Sequence, residues 1–104
     1  MLRPHPKPSL KTQAAEEASD ALAIEVLGFL AADAERLGRF LDAAGLDPGD
    51  IRAAAGRPDF LTGVLDYICA DEPLLIAFAQ ETQRDPAAVE AARLRRSGPK
   101  SWPD

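Results

Sequence analysis

The sequence predicts an all-α protein, a compact bundle of about six short helices. Three observations predict this class. Hydrophobic residues make up 46% of the chain and aromatic residues only 6%, and alanine, the strongest helix former, is a large share of the apolar set. Apolar positions recur at helical spacing through the middle of the chain. Aspartates stand where successive runs of that pattern begin, which is where helix N-caps are expected.

The 104 residues predict one domain with a tail at each end. Pro4, Pro6 and Pro8 alternate with polar residues, so residues 1–11 are expected to form a disordered, basic, Pro-rich tail. The single all-α domain is assigned to residues 12–96. Residues 97–104 are expected to form a flexible C-terminal tail.

The first three helices follow from their caps and breakers. Helix 1 is predicted from an N-cap at Thr12 to about Ala32. Asp33 caps helix 2, which ends at Gly45 because glycine accepts the left-handed conformation. Asp47 starts a short helix 3, with a proline at its first position. The residues expected to face inward are Ala15, Ala18, Leu22, Val26, Phe29, Leu30, Leu37, Phe40, Leu41, Ala44, Ile51 and Ala54 or Ala55.

The last three helices repeat this arrangement. Helix 4 is predicted from about Asp59 to Ala70, Asp71 caps helix 5, and Asp85 caps helix 6, which ends in arginines that suit the negative end of the helix dipole. The residues expected to face inward are Phe60, Leu61, Val64, Leu65, Ile68, Cys69, Leu74, Leu75, Phe78, Ala79, Val89 and Ala92.

The two halves are similar in sequence. Aligning residues 22–56 with 60–94, an offset of 38, gives ten identities in 35 columns, and they fall on caps and core positions. The fold is therefore predicted as two similar three-helix units, about 22–59 and 60–97, that pack on each other. Duplication of one unit and chance similarity between Ala-rich, Asp-capped helices both explain the match.

The net charge of −5 is unevenly distributed. Residues 1–11 carry +3, residues 12–92 carry −11 and residues 93–104 carry +3. Because an acidic body repels phosphates, nucleic-acid binding is disfavoured over most of the surface. Two interpretations of this charge pattern remain. In the first, the acidic surface keeps the protein soluble. In the second, the basic tails fold back on the acidic body or contact an anionic partner.

The segment from Phe29 to Ala79, followed by DPAAVEAAR, resembles a small alphaproteobacterial family known as domain of unknown function 3572. The resemblance covers roughly residues 20–93. It is carried by FLAAD, RLGRFL, Gly45-Leu46-Asp47-Pro48 and the Asp71-Glu72 corner. It supports the fold and implies no activity, cofactor or catalytic residue.

No catalytic, cofactor or metal site is predicted. Cys69 is the only cysteine and His5 the only histidine. Cys69 is expected to be a packed, inert thiol, because the neighbouring acids Asp66, Asp71 and Glu72 disfavour a thiolate. His5 lies among prolines in the N-terminal tail, where it cannot be held in a catalytic geometry.

Arginines and one tryptophan are the candidate interaction residues. Arg36 and Arg39 lie three apart on helix 2, where they form ion pairs within the helix or an interaction face. Trp102 belongs to a disordered tail, or it is an anchor that docks on the body or on a partner, since tryptophan is enriched in binding hot spots.

The segment RLGRFLDAAGLDPGDIRAAA has helix-turn-helix spacing, which suggests DNA binding as an alternative. Its second helix offers Arg52 as the only useful donor. The cluster Arg93, Arg95, Arg96 and Lys100 could hold backbone phosphates but cannot read sequence alone.

The sequence leaves the function open and favours a small, non-enzymatic, cytoplasmic module for protein–protein interaction. A protein partner is expected, nucleic acid is unlikely, and no membrane segment is predicted. The partner's identity and the oligomeric state are not predicted. A nucleic-acid-associated protein that uses the C-terminal arginines is the alternative.

Overall fold

The protein folds as an all-helical bundle, as predicted. The computed structural model describes the backbone of residues 10–97 and the side chains of residues 17–96. Within this range the chain forms α1 (Leu10–Ala31), α2 (Ala34–Ala44), a 3₁₀ turn (Pro48–Asp50), α3 (Ile51–Ala54), α4 (Pro58–Cys69), α5 (Glu72–Thr82) and α6 (Pro86–Ser97). The first helix begins at Leu10, before the predicted cap Thr12, and α6 includes Ser97. The remainder of both tails lies outside the described residues.

Aspartates cap three of the four helices for which they were predicted. Asp33 accepts hydrogen bonds from the backbone N–H groups of Glu35 and Arg36, at 2.9 and 3.2 Å. Asp71 accepts from Leu74 N–H at 3.1 Å, and Asp85 from Ala87 N–H at 2.9 Å. These bonds satisfy donors that the first turn of a helix leaves free.

Asp47 is the exception. It stands before the 3₁₀ turn, but its side chain makes no capping hydrogen bond within the described residues. The tighter turn instead bonds through its backbone, with Asp50 N–H donating to Asp47 C=O at 2.9 Å. Helix 3 is consequently only four α-helical residues long, much shorter than α6.

Two helix ends use the left-handed conformation. Gly45 after α2 has φ of 68°, and Gln83 after α5 has φ of 58°. Gly45 was predicted, because glycine has no Cβ to clash there. Gln83 lies in the same column of the internal alignment and adopts the same conformation without that freedom.

The core is built where α1 and α4 pack together and α6 packs on both of them. Among its members, Leu30, Val64, Leu65, Ile68, Phe78 and Val89 are completely buried. Each half therefore contributes to one shared core, in line with the expectation that the units pack on each other. The helices α2 and α5 cover the core from α1 and α4, respectively.

Some positions predicted to face inward are exposed. Ala18 is exposed while its neighbour Ser19 is buried, and Ala44 is exposed at the end of α2. Phe60 and Cys69 are only half-buried. These differences arise at the margins of the apolar faces, where the angle to the neighbouring helix decides what is covered.

Aligned positions of the two halves have similar burial. Val26 and Val64, Phe40 and Phe78, and Ala54 and Ala92 are all 3% exposed or less. Two unrelated amphipathic helices would show the same pattern, so the duplication itself stays a prediction. None of the helices within residues 10–97 combines the length and apolar character that crossing a membrane requires.

Candidate functional site

An apolar groove lies between α2 and α4. Its volume is about 310 Å³, which is at the lower end of the roughly 300–1,000 Å³ range of small-molecule pockets. We call it the α2–α4 groove. It is lined by Phe40, Ala43, Ala44, Asp59, Phe60, Gly63 and Tyr67. A space of this size accommodates one or two side chains better than a large cofactor.

Three aromatic rings form the groove. The ring of Phe40 meets the ring of Phe60 at a centroid distance of 5.8 Å and the ring of Tyr67 at 5.0 Å. Both contacts are edge-to-face, with interplanar angles of 67° and 72°, an arrangement that aromatic quadrupoles favour. Phe40 is buried, whereas Phe60 and Tyr67 are half-buried and keep part of their surface open.

Small residues leave the rings of Phe60 and Tyr67 partly uncovered. Phe60, Gly63 and Tyr67 are spaced i, i+3 and i+7, so they share one face of α4. Within the described residues, a side-chain carbon at position 63 would meet no heavy atom within 4 Å other than the adjacent residues and the backbone of its own helix turns. Ala43 and Ala44 end α2 on the other side of the groove. The groove is open because neither helix has a long side chain at these positions.

Asp59 gives the groove a negative charge at one end. It lies in the first turn of α4, is exposed, and is the only charged residue among the lining residues. A carboxylate beside an apolar surface favours a ligand that combines an apolar group with a cation.

A second edge-to-face aromatic contact lies between α5 and α1. It corresponds to the contact between α2 and α4. Phe78 meets Phe29 edge-to-face at 5.4 Å and 75°. At the 38-residue offset these rings correspond to Phe40 and Tyr67. We call this region the α5–α1 counterpart.

Charged side chains cover the α5–α1 counterpart. The guanidinium of Arg36 lies 4.3 Å from the centroid of the Phe29 ring, within the range of a cation–π interaction. The same guanidinium is 4.0 Å from a carboxylate oxygen of Glu81, the residue aligned with Ala43. Phe29 is consequently 6% exposed.

A bidentate ion pair lies beside this contact. Arg84 donates from Nε and Nη2 to the two carboxylate oxygens of Glu25, at 2.5 and 2.9 Å. These bonds lower the pKa of Glu25 and raise the pKa of Arg84. Glu25 is aligned with Gly63, so a charged pair stands where the α2–α4 groove has open space.

The two arginines predicted on α2 differ in their surroundings. Arg36 contacts α1 and α5 rather than forming the expected ion pair within its own helix. Arg39 is exposed. The described geometry therefore gives Arg36 a structural contact and leaves Arg39 available at the surface.

The C-terminal arginines are largely engaged by the protein itself. The guanidinium of Arg96 donates to Thr62 Oγ1 at 3.0 Å, to Pro58 C=O at 2.8 Å and to Asp20, and its side chain is only 9% exposed. Arg93 lies 3.9 Å from Asp66 and 4.0 Å from Glu90.

Within the described part of this cluster, Arg95 is the arginine left exposed. Lys100 and Trp102 lie outside the described residues, as does His5. The phosphate-binding surface suggested by the sequence thus keeps little of its charge free on α6.

Cys69 is half-buried at the end of α4. Burial raises the pKa of its thiol, the Glu90 carboxylate adds to the increase, and the Arg93 guanidinium opposes it. The direction agrees with the predicted inert thiol. The main cause is desolvation, and Glu90 rather than the adjacent Asp71 and Glu72 is the leading acidic contribution.

Sequence reasoning missed the α2–α4 groove because Phe40, Phe60 and Tyr67 carry the spacing of core residues. A signal was present in the internal alignment. Gly63 stands opposite Glu25, and Ala43 stands opposite Glu81, so one copy has small residues where the other has long charged ones. Which copy is covered depends on the packing of helices distant in sequence.

Comparison with known proteins gives one match. A family model described as "Protein of unknown function (DUF3572)" matches residues 16–99. No curated protein and no solved structure matches the chain significantly. Since the matched residues make up more than half of the chain, the protein belongs to the DUF3572 family, a family of unknown function.

Proposed function

We propose that this is a small, non-enzymatic, cytoplasmic protein that acts by binding a segment of a partner protein in the α2–α4 groove. The observation that carries the proposal is the partly open aromatic surface of Phe60 and Tyr67, which lies over the buried ring of Phe40. Aromatic side chains in a concave, desolvated site are typical binding hot spots. The cytoplasmic location is carried forward from the sequence.

The charge of the groove supports a polypeptide ligand of a particular kind. The apolar surface takes a large apolar side chain, and Asp59 takes a neighbouring lysine or arginine. The α5–α1 counterpart supports this pairing, because there the protein itself places a cationic side chain over an aromatic ring. The expected partner segment therefore presents an apolar anchor beside a positive charge.

Substitution of Gly63 by leucine tests the function. A leucine side chain at this position fills the groove, while within the described residues a Cβ there meets open space. Gly28→Leu is the matched control, because Gly28 is also an exposed helical glycine whose Cβ direction is open among the described residues. Both variants change helix propensity in the same way, but only Gly63→Leu places a side chain in the groove.

Affinity capture from native cells compares the wild-type chain with both variants. The proposal expects a partner that is recovered with wild type and Gly28→Leu and is lost with Gly63→Leu. Equal recovery of every captured protein by the two folded variants would contradict it. Circular dichroism of both variants checks that the helical content is unchanged.

A further inference from the structure

We propose that the α2–α4 groove binds the chain's own C-terminal segment, residues 98–104, with the indole of Trp102 seated against Phe40, Phe60 and Tyr67. This inference rests on the proposed function in one respect, because both require the groove to be open. It goes further by naming a ligand that is present in every copy of the protein. The segment GPKSWPD lies outside the described residues, and its sequence supplies the argument together with the end of α6.

The structure fixes where this segment begins. Arg96 is the residue before the last residue of α6, and its guanidinium donates to Pro58 C=O and Thr62 Oγ1 at 2.8 and 3.0 Å. These acceptors belong to the first turns of α4. The same turns supply Asp59, Phe60 and Gly63 to the groove. The chain therefore leaves α6 at the level of the groove along α4.

The distance is within reach of the chain. Trp102 is five residues beyond Ser97, and an extended chain spans about 3.3–3.6 Å per residue, or roughly 17 Å. A helix with its side chains is about 10–12 Å across. Half of the circumference of such a cylinder is roughly 16–19 Å, so five residues together with the reach of the indole side chain suffice to pass around α4 from its α6 side to its α2 side. Pro99 limits its own φ and disfavours a helical conformation at the preceding residue, which is compatible with this path.

The chemistry of the segment matches the groove. Trp102 offers the largest apolar side chain, and its ring can meet the three aromatic rings edge-to-face. Lys100 stands two residues before Trp102 in the sequence, and Asp59 supplies a carboxylate at the groove that such a cation can pair with. An apolar anchor and a cation are the two features that the groove favours in a ligand.

Self-occupancy has a consequence for the partner. A partner segment must displace Trp102 from the groove, so the C-terminal segment competes with the partner and lowers its apparent affinity. Removing the anchor raises the apparent affinity for the partner, because the fraction of open groove increases.

Intrinsic fluorescence of the full-length chain tests the inference, since Trp102 is its only tryptophan. The proposal expects wild-type emission shifted to shorter wavelength, and weaker acrylamide quenching, relative to N-acetyl-tryptophanamide. Gly63→Leu is expected to shift the emission to longer wavelength and to increase quenching. Gly28→Leu is expected to keep the wild-type signal. The signal is expected to be independent of protein concentration, because the contact is intramolecular.

Three results would overturn the inference. Wild-type emission equal to that of N-acetyl-tryptophanamide would show that the indole is in water. A protected Trp102 that responds equally to Gly63→Leu and Gly28→Leu would place it elsewhere. Loss of protection on dilution would assign the contact to a second copy of the chain.

The two proposals fail separately. If Trp102 is solvent-exposed while Gly63→Leu abolishes capture of a partner, the self-binding inference is wrong and the proposed function stands. If Trp102 occupies the groove but Gly63→Leu and Gly28→Leu capture the same proteins, the proposed function is wrong and the self-binding inference stands.

Discussion

The α2–α4 groove and the α5–α1 counterpart contain the same aromatic contact and differ in what covers it. Phe40 meets Tyr67 at 5.0 Å, and Phe78 meets Phe29 at 5.4 Å, both edge-to-face. At the counterpart, Arg36 covers the ring of Phe29 and pairs with Glu81, and Arg84 pairs with Glu25 beside it. In the groove, Ala43 and Gly63 stand at the positions aligned with Glu81 and Glu25, and the ring of Tyr67 stays half-buried.

The difference shows that an aromatic contact between two helices is left partly open when the side chains beside it are short. Phe29 and Tyr67 are aligned, but Phe29 is buried and Tyr67 is half-buried. Burial of aromatic surface stabilises a fold, so the half-buried ring of Tyr67 contributes less to stability than the buried ring of Phe29. The counterpart thereby serves as an internal reference for the groove.

The largest expected effect is on the aromatic residues at the base of the two sites. Phe78→Ala removes a fully buried ring and should destabilise the protein by about 3–5 kcal/mol. Phe40→Ala should cost less, about 2–3 kcal/mol, because the space it leaves joins the groove and fills with water instead of forming a closed cavity. Urea unfolding measures both. A larger loss for Phe40→Ala would contradict the assignment of open and closed sites.

The next effect concerns the contacts that join the end of α6 to α4. Arg96→Ala removes three hydrogen-bond donations from a side chain that is 9% exposed. We expect a loss of about 1.5–3 kcal/mol in the free energy of unfolding, since hydrogen bonds from charged groups are involved. Arg95→Ala is the matched control, and as an exposed substitution it should stay within about 0.5 kcal/mol. Equal losses for both variants would show that the Arg96 contacts do not fasten α6.

The ion pair beside the counterpart should contribute less. Arg84→Ala is expected to cost up to about 1 kcal/mol near neutral pH, because both side chains are about 40% exposed and water screens the pair. Folding lowers the pKa of Glu25 below its ordinary value of 4.5. The contribution is therefore present above that value and is lost as the pH falls through the lower pKa of the folded state.

Urea unfolding of wild type and Arg84→Ala across the acid range measures this dependence. The two stability curves should converge at low pH. A difference that persists after the carboxylate is protonated would indicate that Arg84 acts through packing instead of charge.

The smallest expected effect compares the two left-handed helix ends. Gln83 has φ of 58° and Gly45 has φ of 68°. Gln83→Gly should increase the free energy of unfolding by about 0.5–1 kcal/mol, because glycine has no Cβ clash in this conformation. Gly45→Ala, the reciprocal change, should decrease it by a similar amount. Thermal unfolding detects both changes. A lower stability of Gln83→Gly would mean that the Gln83 side chain makes a contact that stabilises the protein by more than the relief of backbone strain does.

Much of the fold was predictable because it depends on local rules. Asp33, Asp71 and Asp85 cap helices from within three residues of the donors they satisfy. The buried faces followed from helical spacing at positions such as Val26, Val64 and Val89. Asp47 did not behave like the other three because its helix begins with a tight 3₁₀ turn.

The candidate site was less predictable. The sequence singled out Arg36, Arg93 and Arg96 as possible interaction residues, yet their guanidinium groups contact the protein's own rings and carboxylates. Those partners are 7, 27 and 76 positions away in the chain, so helical periodicity gives no information on them. Of the groove residues, Phe40, Ala44 and Phe60 were assigned to the core for the same reason.

By itself, the sequence determined the helices, most of their caps, the left-handed end at Gly45 and the apolar face of each helix. These features depend on interactions within about four residues, which a linear pattern records. The tertiary structure alone decided that Arg36 covers Phe29, that Arg96 joins α6 to α4, and that Phe40, Phe60 and Tyr67 surround an open groove. Exposure of a half-apolar face depends on the angle and distance between helices remote in the chain, and no local interaction fixes either quantity.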